Sequence, residues 1–191
     1  FVCQTARSRP RLDGHLEDEV WSRATVLDLT SAQHDDDAWP AAAMLAYDDE
    51  FLFLAISCKK APGRPYPSSS ETRPRDPDLK GRDRVSIRID LDRDYASFYR
   101  LTADHRGWTG EACMENVHWD PTWYVASEET ETDWTVEAAI PLRELTAQGP
   151  RATDVWAIGL QRILPGVGIQ SFTKPAAIEP RPEGFALMIF Q

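Results

Sequence analysis

Cysteine is scarce: Cys3, Cys58 and Cys113 are the only three in 191 residues. They form no C-x-x-C pair, which excludes a zinc knuckle, and they are too few for a disulfide framework. An odd number leaves at least one thiol free or paired with another chain. A bridge from Cys3 to Cys58 stays open if the N-terminal segment lies beside the strand holding Cys58, the alternative being small core residues. Positive charge is also short, with 21 Lys and Arg against 31 Asp and Glu and a net charge of −10. No basic run offsets it, so a phosphate backbone would be repelled and nucleic acid is not expected as a partner. Long apolar runs are missing as well. The stretch from Phe51 to Ile56 falls far below the roughly 18 residues that span a bilayer, and no basic start followed by an apolar run marks a signal peptide. Membrane insertion is not expected. Because the chain opens on Phe1, it is expected to be an excised or processed domain of a longer product.

Catalytic signatures are equally sparse. There is no G-x-S-x-G, no P-loop, no G-x-G-x-x-G and no cysteine in a nucleophile setting, and Gly166-Val167-Gly168 has the character of a hairpin turn. His15, His34, His105 and His118 lack H-x-x-x-H spacing, which argues against a transition metal. Glu115 and Asp120 can be nominated as a carboxylate pair, but among 31 acids such a pair carries no weight without a known separation. The chain is expected to be a non-enzyme.

What the sequence does contain is apolar material in period two. With 42% hydrophobic and 10% aromatic residues it can fill the core of one domain, residues 1–191. Val85, Ile87, Ile89 and Leu91 alternate with Ser86, Arg88 and Asp90, and Trp134, Val136, Ala138 and Ile140 alternate with Thr135 and Glu137, as half-buried strands do. Phe51 to Ile56 is apolar on both faces and leaves a tight turn after the strand Ala43 to Tyr47, which predicts a hairpin whose second strand is central. Further strands are predicted at Ser97 to Ala103, Trp108 to Glu115, Trp123 to Ser127, Val155 to Ile163, Gly168 to Phe172 and Phe185 to Phe190. Helix is confined to Leu16 to Ala24, with acids at its favourable end, and to a single turn after Pro141. Together these predict an all-β, antiparallel β-sandwich, immunoglobulin-like or DOMON-like, with one or two short helices. A Pro-rich loop over 61–82 can be neither strand nor helix, and is a mobile excursion or a binding lid. A second Pro-rich run, Lys174 to Pro182, precedes the last strand.

The order of motifs carries a resemblance. Leu12-Asp13-Gly14-x-Leu16-x-Asp18-x-x-Trp21, then Tyr47-Asp48-Asp49-Glu50-Phe51-Leu52-Phe53-Leu54-Ala55, then Asp83-x-Val85-x-Ile87-x-Ile89-Asp90 resembles the family 9 carbohydrate-binding modules and their DOMON-like relatives. Trp134-Thr135-Val136-Glu137-Ala138-Ala139-Ile140-Pro141, Trp156 followed by Arg162, and Glu183-Gly184-Phe185-Ala186-Leu187 continue it to the end of the chain. The resemblance implies a sugar-binding sandwich that grips the reducing end of a glycan between two tryptophans, often with structural calcium and attached to a glycoside hydrolase. It also implies an exported protein, extracellular or periplasmic, with other domains of the parent chain as partners. At the two tryptophan positions this chain has Leu79-Lys80-Gly81-Arg82 and Ile178-Glu179-Pro180-Arg181, and Ser86 replaces a strand glutamate. Arg100 and Arg162 match the family's arginines.

These residues define the expected site. Arg100 and Arg162 are candidate clamps for hydroxyls or a carboxylate, which would suit an acidic glycan if both point into one cleft, the alternative for each being an acidic neighbour. Trp21, Trp134 and Trp156 belong in the core, whereas Trp39, Trp108, Trp119 and Trp123 are flanked by polar residues. In the cluster Glu115 to Tyr124, Trp119 and Glu115 are the candidate sugar contacts, joining an aromatic platform to a carboxylate. Asp90, Asp92 and Asp94, a carboxylate at every second residue leaving a strand, are the candidate Ca2+ ligands. The acidic run Asp35-Asp36-Asp37 is weaker. An alternative within the DOMON-like group is a b-type haem held by residues such as Met44, Met114 or His118. A third is an interaction or spacer module that has lost sugar binding.

Overall fold

The computed structural model describes residues 1–31, 36–69, 71–114 and 116–191. In chain order the elements are β1 (Val2–Thr5), α1 (Glu19–Arg23), β2 (Leu27–Ser31), β3 (Ala41–Tyr47), β4 (Phe51–Lys59), β5 (Arg84–Asp90), β6 (Tyr99–Asp104), β7 (Thr109–Cys113), β8 (Tyr124–Glu129), β9 (Asp133–Pro141), β10 (Val155–Leu164), β11 (Gly168–Ser171) and β12 (Ala186–Phe190). Single 3-10 turns add to these at Asp36–Ala38, Leu142–Glu144 and Pro182–Gly184. The helical turn expected after Pro141 is the second of them.

Period two sorts the strands into two layers. One sheet runs β7-β6-β5-β10, with β11 and β12 sharing the far edge of β10, and the other runs β2-β3-β4-β9-β8. Val85, Ile87, Ile89, Leu101, Trp156, Ile158 and Leu160 of the first face Leu27, Leu45, Leu54, Ile56, Trp134, Val136 and Ile140 of the second in one core. The sheets join at their edges, where β11 pairs antiparallel with β2 and β1 pairs in parallel with both β12 and β3. The expected antiparallel sandwich is therefore present, with β1 as the parallel exception. β1 and β2 escape sequence patterning because both are short, and because β1 is held at an edge by backbone pairing.

The second sheet is covered outside as well as inside. Phe53, Ala55, Ala46 and Ala139 on its outer face pack against Val20 and Trp21 of α1, so β4 lies between two apolar surfaces, as its unbroken apolar run predicts. The helix is shorter than expected. Asp18 stands at its N-cap without capping it, since its carboxylate accepts from the backbone N–H of Arg11 at 2.8 Å instead.

One alternative is decided and one expectation corrected. Cys3 and Cys58 are separate, buried, free thiols, each filling space in the common core as a small apolar residue. The described residues of the loop over 61–82 have no regular structure, as expected, but they are tied down rather than a free excursion. Tyr66 Oη donates to Asp83 at 2.8 Å, the Arg73 side chain donates to the Thr109 hydroxyl, and Leu79 is buried against the sheet.

Candidate functional site

Because Val85, Ile87 and Ile89 of β5 and Leu101 and Ala103 of β6 point into the core, their neighbours must point out of the same sheet. Register then arranges the outward residues in rows. Gln161, Ser86, Thr102 and Gly110 stand side by side on β10, β5, β6 and β7, and Gly159, Arg88, Arg100 and Ala112 form the next row. The first row, with Arg88 and Arg100 of the second, floors a cleft of about 480 Å³, walled by residues 76–80 of the long loop and by Ile178 and Glu179 before β12. That volume suits a small ligand. The ring of Phe185 closes the end of the second row over Gly159, where a Cβ would stand 2.7 Å from it.

The floor is polar and incompletely paired. Ser86 and Thr102 share a hydroxyl–hydroxyl bond of 2.8 Å. Gln161 Nε2 donates to the Ile178 carbonyl at 3.1 Å, and Arg84 Nη1 donates to the Lys80 carbonyl at 2.8 Å, so floor residues hold both walls. Arg88 is only 2% exposed, and its one partner among the described residues is Glu179, reached by Nη2 at 3.3 Å, whose side chain is 76% exposed. Nε and Nη1 of Arg88 and Oε1 of Gln161 are buried with no partner among the described residues. Arg100, directly across from Arg88 in the register, is half-buried, and its side chain makes no hydrogen bond or ion pair among the described residues. Burial lowers the proton affinity of Arg84 and Arg88, and the charge of Arg100 lowers it further against the pull of Glu179. The acids of the cleft mouth, Asp76, Asp78 and Glu179, are exposed. Arg88 therefore lies deepest, Arg84, Arg100 and Glu111 are half-buried, and Asp76, Asp78 and Glu179 outnumber Lys80 at the exposed rim.

Of the residues expected to form the site, Arg100 lies in this cleft. Arg162 does not, and this is a correction: on β10 it has the parity of Trp156, Ile158 and Leu160, opposite to Gln161. Its side chain is fully buried, with Nε and Nη2 on the two oxygens of Asp83 at 2.9 and 2.6 Å, Nη1 on the Trp39 carbonyl at 2.9 Å and Nη2 on the Lys59 carbonyl at 2.8 Å. Its donors are spent inside the sandwich, so the acidic-neighbour alternative holds for it. Trp119 lies outside the cleft lining, half-buried against Tyr99 with ring centroids 4.8 Å apart. Trp39 is buried beside Arg162, and Trp123 donates to Glu111 at 2.5 Å. Glu115 falls outside the described residues, as does Asp35.

Oxygens of Asp90, Asp92 and Asp94 lie within 4.8 Å of one another. The Asp90 oxygens accept from the N–H groups of Arg93 and Tyr95, and Asp94 accepts from Ala96 and Ser97. Burial raises the pKa of Asp90, and its contact with Asp92 and the charge of Asp94 add to the rise. Among the described residues no Lys or Arg pairs with any of the three, so hard oxygen ligands with no counter-charge fit a divalent cation. The haem candidates do not converge. Met44 packs beside α1 on the second sheet, while Met114 and His118 are exposed after β7.

Sequence reasoning missed Arg84, Arg88, Thr102 and Gln161. The signal for the β5 residues was in hand, since the apolar alternation of β5 assigns Arg84, Ser86 and Arg88 to one outer face. Which strand neighbours β5 is set by long-range pairing that no local pattern encodes.

A family model described as "Carbohydrate family 9 binding domain-like" matches residues 12–164. The structure is similar to a carbohydrate-binding module family 9 from Caldicellulosiruptor kristjanssonii in complex with cellotriose, at TM-score 0.73 and 15% identity, covering 100% of this chain and 94% of that one. A second structure described in the same words, in complex with glucose, gives TM-score 0.70 at 14% identity and covers 100% of this chain and 96% of the other. At these identities the likeness speaks for the fold. No curated protein matches the sequence. With the model spanning most of the chain and the sandwich spanning all of it, the chain belongs to the carbohydrate family 9 binding domain-like family.

Proposed function

We propose that this chain is a non-catalytic glycan-binding module and that the sugar sits in the cleft on the outer face of β5, β6 and β10. The observation that carries the reading is the unspent hydrogen-bonding capacity of the floor. Arg88 Nε and Nη1 and Gln161 Oε1 are buried donors and an acceptor with no partner among the described residues, and such groups cost free energy unless something fills them. A sugar hydroxyl, donor and acceptor at once, satisfies both kinds. The segments with Leu79 and Ile178, where the family resemblance puts two tryptophans, do line the cleft, so the ring would lie against aliphatic walls. This reading gives up aromatic stacking and leans on the polar floor. A glycan array followed by calorimetry on the purified chain tests it. Micromolar binding that is lost in Gln161→Leu, with the melting transition retained, supports the cleft, and a blank array or undiminished binding by that variant overturns it.

The same proposal includes a calcium ion at Asp90, Asp92 and Asp94, an exported setting, and a parent protein whose other domains carry any catalysis. The calcium part is supported by the three converging carboxylates, and would act on stability, since these acids stand on the turn leaving β5.

A further inference from the structure

We infer that the cleft selects a sugar bearing an oxyanion, either a uronate carboxylate or a sulfate ester, which would bind between Arg88 and Arg100; this rests on the glycan-binding reading above. Two guanidinium groups directly opposite on neighbouring antiparallel strands repel each other. Here one of them is almost fully buried, which multiplies the cost, because a desolvated charge is expensive unless it is paired and hydrogen-bonded. The pairing on offer is poor. Arg88 has a single contact at 3.3 Å to Glu179, a side chain mostly in water, and Arg100 has none among the described residues. A neutral sugar would satisfy the hydrogen bonds and leave the paired charges uncompensated. An oxyanion does both, and guanidinium geometry matches carboxylate and sulfate oxygens well.

The rim narrows the ligand further. Asp76, Asp78 and Glu179 at the mouth outnumber its one lysine, Lys80, and together with a net charge of −10 would repel a densely charged polyanion along its length. The match is one charged residue, seated in the cleft, within an otherwise neutral chain. Glu179 then competes with the ligand for Arg88, so its removal should strengthen binding rather than weaken it.

The test is calorimetric titration of the purified protein with oligosaccharides ending in a uronate, the same oligosaccharides as methyl esters, and matched pairs with and without one sulfate ester. The inference expects at least about tenfold tighter binding of a charged member than its neutral twin, as hydrogen bonds to a charged group warrant, and a preference that shrinks with added salt. It expects Arg100→Ala to abolish that preference while melting no lower than the unaltered protein, and Glu179→Gln to increase it. The uronate and sulfate pairs show which oxyanion is meant. Equal binding of charged and neutral members by the unaltered protein overturns the inference while leaving the glycan-binding reading standing. So does a preference indifferent to Arg100→Ala. Failure of every sugar to bind overturns both.

Discussion

Arg162 has the surroundings a buried guanidinium requires. Two oxygens of Asp83 and the carbonyls of Trp39 and Lys59 take its protons, and Asp83 in turn accepts from Tyr66 and from Trp134 Nε1 at 2.9 Å. Removing the acid strands the charge. Asp83→Ala should lower the unfolding free energy by about 3 to 5 kcal/mol, the usual cost of orphaning half of a buried pair, measured by urea denaturation. A loss below about 1 kcal/mol, typical of exposed pairs, would mean that the pair is solvated. The thiols make a second prediction at this scale. Burial pushes Cys3 and Cys58 up to about 12, so neither supplies thiolate at neutral pH, while Cys113 is only partly buried. Iodoacetamide should modify Cys113 alone in the native protein and all three cysteines in denaturant. Peptide mapping that finds Cys3 or Cys58 labelled first would contradict this. Arg100 and Arg162 were equivalent in the sequence, because both lie on alternating strands. What separates them is parity relative to the core, and beyond it the identity of Asp83 as a partner 79 residues away.

At the scale of elements, the segment leading into α1 is fixed by one side chain from β9. Glu137, buried on the outer face of the second sheet, accepts from Trp21 Nε1 at 2.8 Å, Gly14 N at 2.9 Å and Asp13 N at 3.1 Å. Gly14 has φ +86, and a Cβ there would stand 2.7 Å from the Glu128 backbone nitrogen, so glycine is required by both conformation and space. Glu137→Ala leaves all three N–H groups without their acceptor, and should cost about 1 to 3 kcal/mol for the bonds left unmade. Denaturation midpoints unchanged from the unaltered protein would show that the segment is held by apolar packing alone. The Asp90, Asp92 and Asp94 turn is the other element with its own prediction. If it takes calcium as proposed, calcium at about a hundred times its Kd adds about 2.7 kcal/mol, visible as a melting point several degrees higher that chelator reverses. A melt indifferent to calcium and chelator removes the ion from the proposal. Long strands were legible because period two survives for five or more residues in them, and β4 was legible as central because both its faces are apolar. β1 was not, since four residues held by parallel backbone pairing to β12 and β3 leave no side-chain pattern.

For the whole molecule, acid response follows from carboxylates whose shifts oppose one another. Burial raises Glu137 above its ordinary 4.5, against the hydrogen bonds from Trp21, Gly14 and Asp13, and burial likewise raises Asp90 above its ordinary 3.8. Their ionisation works against the fold, so stability is gained as pH falls from above their folded values toward the unfolded ones. Glu129 behaves oppositely. Burial would raise it, but hydrogen bonds from Lys60, at 2.6 Å, and from His105 hold it below 4.5. Its contribution is present above 4.5 and is lost as pH drops through the lower folded value. Protonation also trims the net charge of −10 and with it the self-repulsion of the folded chain. These signs predict a melting temperature that rises as pH falls from above the folded values of Glu137 and Asp90 toward their ordinary 4.5 and 3.8, and that then falls as Glu129 is protonated below 4.5. In Glu137→Gln the rise should flatten, because one of the two groups that benefit from protonation is gone, while the fall persists. A melting temperature that declines steadily from neutrality in both proteins would contradict the raised direction for Glu137 and Asp90.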